Sequence, residues 1–271
     1  MTNSVIIIPI HKNFNELTKG EKTSLKRTLD VFKEEDIFLI ISESLDILNF
    51  QFELTKNLNF TIIPEVHFRD INSYSKLLMS SYFYSLFKKY KWMLICQLDT
   101  YIFRNELFYF TNRNDYFFIG APVIDSDLKD WPKRSWVGNG GLSLRRIDIC
   151  FEISLKLENL KTELKVSPSS LIMSNSLFSS LLRMVMEKIH KVKFNKFLLR
   201  YFRDYQVNED IFWCLWVPSF YTKFKSSDIN TAAKFSFEKF SSDMYNSIHQ
   251  LPMGCHAWEK YNPEFWEKHI S

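Results

Sequence analysis

Five short apolar runs constrain this chain more than any other feature: Val5 to Ile10, Ile37 to Ile41, Phe60 to Ile63, Trp92 to Leu98 and Tyr116 to Ile119. Each has the length of a buried strand, and the first is rich in β-branched residues. The stretches between them carry helical spacing. Leu25, Leu29 and Phe32 recur on one face from about Glu21 to Phe32. Apolar residues recur at three and four from Tyr74 to Tyr90, which predicts one long amphipathic helix, and Asn105 to Phe110 reads as a short one. Strands alternating with helices predict an α/β fold with a mostly parallel central sheet flanked by helices. Ligands of such sheets bind beyond the carboxyl ends of the strands. Asp99 stands at such an end and is the first residue to suspect.

The second half is less regular. Leu142 to Leu144 reads as a strand, and about Pro168 to Tyr201 as helical. Arg183, Lys188, Lys191, Lys193, Lys196, Arg200 and Arg203 make the segment 183–203 basic. The plain reading is a solvated helix face, and the sharper one is a peripheral contact with anionic lipid headgroups. No internal repeat or low-complexity linker divides the 271 residues, so a single domain over 1–271 is expected.

Composition narrows the function classes. A net charge of +4 gives no reason to expect nucleic acid as a partner. The four cysteines, Cys96, Cys150, Cys214 and Cys255, form no CxxC pair and sit among apolar neighbours, as reduced, buried thiols do. The opening MTNSVIIIPIHK is too short and too weakly basic for a signal peptide, and no run reaches the roughly 18 apolar residues of a membrane span. A cytoplasmic protein is expected, either free or docked on the inner face of the membrane.

Only six glycines occur, and four of them fall between Gly120 and Gly141. Trp136-Val137-Gly138-Asn139-Gly140-Gly141 concentrates three of these. Glycine permits positive φ and close approach of backbone to a ligand. The loop reads as a ligand-facing main-chain surface or as a tight turn between strands. It matches neither a phosphate-binding P-loop nor a dinucleotide fingerprint.

Two further points carry chemistry. Asn208-Glu209-Asp210 precedes the apolar Ile211-Phe212-Trp213, so its acids serve either as helix N-terminal residues or as a general base aimed into a cleft. His256, in Met253-Gly254-Cys255-His256-Ala257-Trp258, is either structural or a ligand.

Taken in order, a strand-end Asp, a glycine loop, a Glu-Asp pair and a late His resemble the motif series of GT-A-fold glycosyltransferases: DxD, glycine loop, xED and C-terminal His. The segments QLDTYIFRNEL, DYFFIGAPV, WVGNGGLSLRR, NEDIFW and MGCHAWEKYN resemble the bacterial DUF5672 family, regarded as GT-A-like. The similarity is weakest over about 153–205, which marks a variable helical region.

The resemblance implies a glycosyltransferase taking a nucleotide-sugar donor and a glycan or lipid-linked acceptor, in surface polysaccharide synthesis. Pro9, His11, Asp99, Thr100, Tyr101, Gly138, Asn139, Gly140 and Gly141 would hold the donor. Asp210 would be the catalytic base, Glu209 would orient donor or acceptor, and Asp99 with His256 would hold metal or diphosphate. Tyr101 stands where the second DxD acid belongs. A divalent metal, Mn or Mg, is therefore held by Asp99, His256 and the diphosphate alone, or is not used. Lys133, Arg134, Arg145, Arg146 and His11 are the candidates for neutralising the diphosphate in its place; ordinary surface charge is the other account of them. Two other functions compete: a non-catalytic carbohydrate- or nucleotide-binding module, and another nucleotide-dependent transferase.

Overall fold

The computed structural model describes residues 3–54, 58–124, 135–163, 184, 187–189, 191–203 and 206–270. The first half alternates as expected. It runs β1 Ser4–Ile10, α1 Lys19–Val31, β2 Asp36–Ser42, α2 Ile47–Leu54, β3 Asn59–Ile63, α3 Ile71–Leu78, α4 Ser81–Ser85, β4 Trp92–Cys96 and β5 Thr100–Ile102. There follow α5 Leu107–Thr111, β6 Phe118–Ile119, β7 Pro122–Ile124, β8 Ser135–Val137, β9 Leu142–Arg146, α6 Ile147–Glu163 and α7 Lys196–Phe202. A composite helix, α8, runs as Glu209–Ile211, a π-helical Phe212–Trp216, and Val217–Phe220. The remainder is α9 Ile229–Phe235, β10 Ser236–Phe237, α10 Ser241–Ile248, β11 Gly254–His256 and α11 Pro263–Trp266.

The main sheet is mixed but mostly parallel, in the order β3-β2-β1-β4-β9-β6. The first four strands are mutually parallel, and β9 lies antiparallel between β4 and β6. Every residue of β1 is buried, as a central strand covered on both faces requires. Ile7 faces Phe38 on one side and Ile95 on the other. Each such side chain taken fully out of water contributes about 1.5–3 kcal/mol.

Local sequence explains the helix boundaries. Thr18 and Glu21 form a reciprocal capping box: Thr18 Oγ1 accepts from the Glu21 N–H at 3.1 Å, and Glu21 Oε2 accepts from the Thr18 N–H at 2.8 Å. Arg27 of α1 then donates to the Ile102 and Phe103 carbonyls at 2.9 and 2.6 Å, tying the helix to β5.

The expected long helix from Tyr74 to Tyr90 is two helices. Ser80 breaks the run by capping α4, its hydroxyl accepting from the Phe83 N–H at 3.2 Å. The break exposes the Leu78 carbonyl, which accepts from Tyr84 Oη at 2.9 Å and from Trp213 Nε1 at 3.2 Å. The first bond ties α4 to α3, and the second seats α8 on α3.

The strand expected over Trp92 to Leu98 stops at Cys96, where the chain turns toward β5. The helix expected from Pro168 to Tyr201 falls largely outside the described residues. Within them it is interrupted: Lys191 has φ 53°, and Asn195 caps a separate α7 by accepting from the Phe197 and Leu198 N–H groups at 3.0 and 3.1 Å. All four cysteines are buried and free. Among the described residues, no helix is long and apolar enough to cross a membrane.

Candidate active site

The turn after β4 sets the site. Gln97 donates its N–H to the Gly141 carbonyl at 2.8 Å, and Asp99 follows at the carboxyl end of the strand. β5 then pairs antiparallel with β11 in the register Thr100↔His256 and Tyr101↔Cys255. This pairing, and not sequence proximity, carries His256 to Asp99, with Nε2 and Oδ1 3.2 Å apart. The other ring nitrogen, Nδ1, lies 3.3 Å from Glu238 Oε1. Burial alone would lower the imidazole pKa, but the two flanking carboxylates outweigh it and push it up to about 9. Burial in turn raises Asp99 and Glu238, and the cationic ring outweighs that, holding both below the usual carboxylate range.

The glycine loop connects this pair to α8. Asn139, at φ 65°, takes the left-handed conformation in the loop, a region Asn tolerates better than most residues. Its Oδ1 accepts from the Gly141 and Leu142 N–H groups at 3.0 and 3.3 Å. That fixes the amide's orientation and turns Nδ2 toward His256 Nδ1, 3.0 Å away. A bare Nδ1 accepts from this amide; with Nδ1 protonated, the ring N–H and the amide both have Glu238 as acceptor. The backbone N–H of Asn139 donates to Asp210 Oδ2 at 3.1 Å, and Asp210 Oδ1 accepts from the Ile211 N–H at 2.8 Å.

No glycine has positive φ among the described residues. They make room for side chains instead. A Cβ on Gly140 would lie 1.7 Å from Glu209 Oε1, and one on Gly141 would lie 2.1 Å from His256 Nε2. Gly120 underlies the loop so closely that its Cβ would meet the Gly138 carbonyl at 1.9 Å.

Glu209 is 5% exposed and pairs with Arg145 Nη2 at 2.8 Å. Arg145, wholly buried, also donates from Nε to Ser143 Oγ at 3.1 Å and from Nη1 to Tyr84 Oη at 3.4 Å. Burial pushes the Glu209 carboxyl pKa up, and the guanidinium opposes that rise. Arg145 is therefore a buried partner of Glu209 and not a free cation for a diphosphate. Arg146 does not serve that role either: it pairs with Asp148 and lies over Trp92, at the opposite end of β4 from Asp99. Lys133 and Arg134 lie outside the described residues.

A cavity of about 460 Å³ opens beyond the carboxyl ends of β1 and β4, lined by Pro9, His11, Glu21, Phe68, Asp70, Ile71, Tyr74, Gln97, Leu98 and Asp99. Of the residues singled out in the sequence, Pro9, His11 and Asp99 belong to its wall. Thr100 is wholly buried, its hydroxyl donating to the Gly141 carbonyl at 3.2 Å. Tyr101 is 4% exposed and packs in a small core cluster with Phe237, Cys255 and Trp266, so its side chain is turned away from the cavity. Gly138 to Gly141, Glu209, Asp210 and His256 are not among the lining residues. They form the adjoining layer, with Tyr74 between: its phenol senses the charges of Glu209, Arg145 and Asp99. The cavity is acidic. Burial, then Lys12, lowers the His11 pKa, and Lys12 itself is held by Glu21 at 2.8 Å.

Sequence reasoning missed Glu238, Tyr74, Gln97, Phe68 and Asp70. The strand-end rule that identifies Asp99 applies equally to β3, whose carboxyl end leads into Phe68–Tyr74. Glu238 carries no local signal, because its place depends on β10 pairing with β11.

The donor set does not match a resident divalent cation held by protein alone. Among the described residues, no three His, Cys, Asp or Glu side chains gather as a metal set. His256 Nε2 is enclosed against Asp99, with no aligned hydrogen-bond partner. Asp99, its side chain 43% exposed, offers the open carboxylate oxygens.

A comparison with curated proteins finds no match. Solved structures of similar shape include the mannosyltransferase Ktr4p of S. cerevisiae in complex with GDP, at TM-score 0.42 and 9% identity over 59% of this chain and 61% of that one. Another is the glycosyltransferase GlyE of Streptococcus pneumoniae TIGR4, at 0.45 and 11%, over 100% of this chain and 60% of that one. A third is a glycosyltransferase involved in glycosylation of the major capsid of PBCV-1, at 0.45 and 10%, over 98% of each chain. The chain thus spans about three fifths of the length of the first two. A family model described as a protein of unknown function, DUF5672, matches residues 57–256, and the chain belongs to that family.

Proposed function

We propose that the protein is a glycosyltransferase that moves a sugar from a nucleotide-sugar donor to a hydroxyl of a glycan or lipid-linked glycan. The observation that carries this reading is the convergence of four dispersed segments. Asp99 meets His256 at 3.2 Å, His256 meets Asn139 at 3.0 Å, and the Asn139 N–H meets Asp210 at 3.1 Å, all beside one cavity. In this reading the donor enters the cavity beyond β1 and β4, where carboxylates such as Asp99 accept hydrogen bonds from sugar hydroxyls. Asp210 takes the proton of the acceptor hydroxyl as its oxygen attacks the anomeric carbon. The bond from that carbon to the diphosphate breaks, and the configuration inverts. The two backbone donors on Asp210 orient its carboxylate and leave a lone pair on each oxygen. A positioned base contributes on the order of 10²–10⁴-fold. A divalent cation brought with the donor, and seated on Asp99, would supply positive charge to the leaving diphosphate. The exposed Lys188, Lys191, Lys193, Lys196 and Arg203 support an acceptor presented at an anionic membrane surface.

The test is a thermal-shift panel of nucleoside diphosphates and sugar nucleotides, with and without Mn²⁺ or Mg²⁺, followed by hydrolysis assays on the ligands that bind. Stabilisation by one nucleotide class, with slow hydrolysis of its sugar conjugate, supports transfer. Binding without turnover favours a carbohydrate- or nucleotide-binding module, and no binding at all overturns the donor-site reading.

A further inference from the structure

Asp99 and Asp210 belong to different halves of the proposed reaction, one on the donor side and one at the acceptor base. They lie on elements that share no hydrogen-bonded strand. One residue touches both of their neighbourhoods. Asn139 is 5% exposed, too enclosed for its side chain to serve as an open ligand contact. Its main chain holds Asp210 Oδ2 at 3.1 Å. Its Oδ1 takes two backbone N–H groups of its own loop. Its Nδ2 reaches His256 Nδ1 at 3.0 Å, and the far nitrogen of that ring lies 3.2 Å from Asp99.

The left-handed backbone is what makes this double use feasible. At φ 65° the peptide N–H of Asn139 points at α8 while its side chain folds back into the loop. With the ring charged, the Asn139 amide and His256 Nδ1–H both donate to Glu238 while Oδ1 keeps its two backbone donors, which holds the buried amide in one orientation. A shift of the Asp99–His256 pair therefore moves the Asn139 amide, and with it the loop N–H that orients Asp210.

We propose that Asn139 is a positioning residue that couples the donor-side carboxylate Asp99, through His256, to the orientation of Asp210. The inference rests on the glycosyltransferase reading for its kinetic consequence, but the coupling itself is readable without turnover. Amide hydrogen exchange over 207–213 is measured in the wild type, Asp99→Asn, Asn139→Gly and the double variant. Glycine keeps the left-handed backbone and removes only the side chain. Asp99→Asn is expected to speed exchange in this segment at least about threefold in the wild-type background, and to add nothing in the Asn139→Gly background. Equal increments in both backgrounds, or no effect of Asp99→Asn at all, overturn the coupling.

With a turned-over donor, Asn139→Gly is expected to lower kcat about 10- to 100-fold with donor KM little changed, as a misplaced base does. A proportional loss of stability, donor affinity and kcat marks a merely structural role and overturns the positioning role. Coupling in exchange with no sugar nucleotide turned over by the wild type leaves the proposal standing and sinks the glycosyltransferase reading instead. Asn139→Ala, which strains the left-handed backbone, serves as the second variant, and retained wild-type kcat in both variants overturns the proposal.

Discussion

The Glu209 carboxylate rests on the Cα of Gly140: a Cβ built there lies 1.7 Å from Oε1. The carboxylate is at the end of a flexible side chain, but the Arg145 ion pair holds it in place. Gly140→Ala therefore forces the carboxylate off the guanidinium. The expected cost is about 3 kcal/mol, the low end of the range for disrupting a buried pair, read by urea denaturation. Gly120→Ala is expected to cost more, because its nearest obstacles are the backbone carbonyls of Gly138 and Asn139, which cannot swing aside.

Arg145→Met leaves Glu209 buried without its counter-charge. Breaking such a pair from one side costs about 3–5 kcal/mol. Arg145→Met/Glu209→Gln removes both charges and should recover a good part of that loss. Chemical denaturation of the two singles and the double checks this as a cycle, with a coupling energy of about 2 kcal/mol or more expected.

The strands were legible because they are short apolar runs: β1 and β4 are buried along their whole length, β2 over its last four residues, and the edge strand β3 at Ile63. The place of Asp99 followed from the strand-end rule. The rest of the site depends on pairing between distant segments. His256 reaches Asn139 from 117 residues away only because β11 pairs with β5. Arg145 looks like any strand-end basic residue until α8 brings Glu209 beneath it. The break between α3 and α4 was hidden for another reason: Ser80 falls within an unbroken apolar periodicity, and a serine hydroxyl serves a helix interior and a cap alike. The glycines stood out by their rarity, but that they accommodate Glu209 and His256, and that the left-handed position belongs to Asn139, depends on distant segments meeting the loop.

His256 sets an expected pH dependence of stability. Its pKa stands at about 9 in the folded protein against an ordinary 6.5, despite burial, because Asp99 and Glu238 flank it. The folded state binds this proton more tightly than the unfolded chain. The stabilisation is therefore complete below about pH 6.5 and is lost as pH rises through about 9, a contribution on the order of 2–3 kcal/mol. The melting temperature should fall across that window in the wild type. His256→Gln should be less stable at pH 6.5 and should show a flatter profile above it. A wild-type profile as flat as the variant's would mean that the two carboxylates do not hold the ring charged.

Asp210→Asn tests the base most directly. The amide is nearly isosteric and its oxygen still accepts a hydrogen bond from the Asn139 or Ile211 N–H, so the loop and α8 should keep their arrangement. What it loses is the capacity to take a proton. For a sugar nucleotide that the wild type turns over, kcat should fall about 10²–10⁴-fold. Donor affinity, measured by calorimetry, should stay within about threefold of wild type, since Asp210 is not among the residues lining the cavity. Loss of donor affinity in step with kcat would place Asp210 on the donor and remove it as base. An unchanged kcat would move the base elsewhere, with Glu209 excluded as a simple substitute by its burial against Arg145.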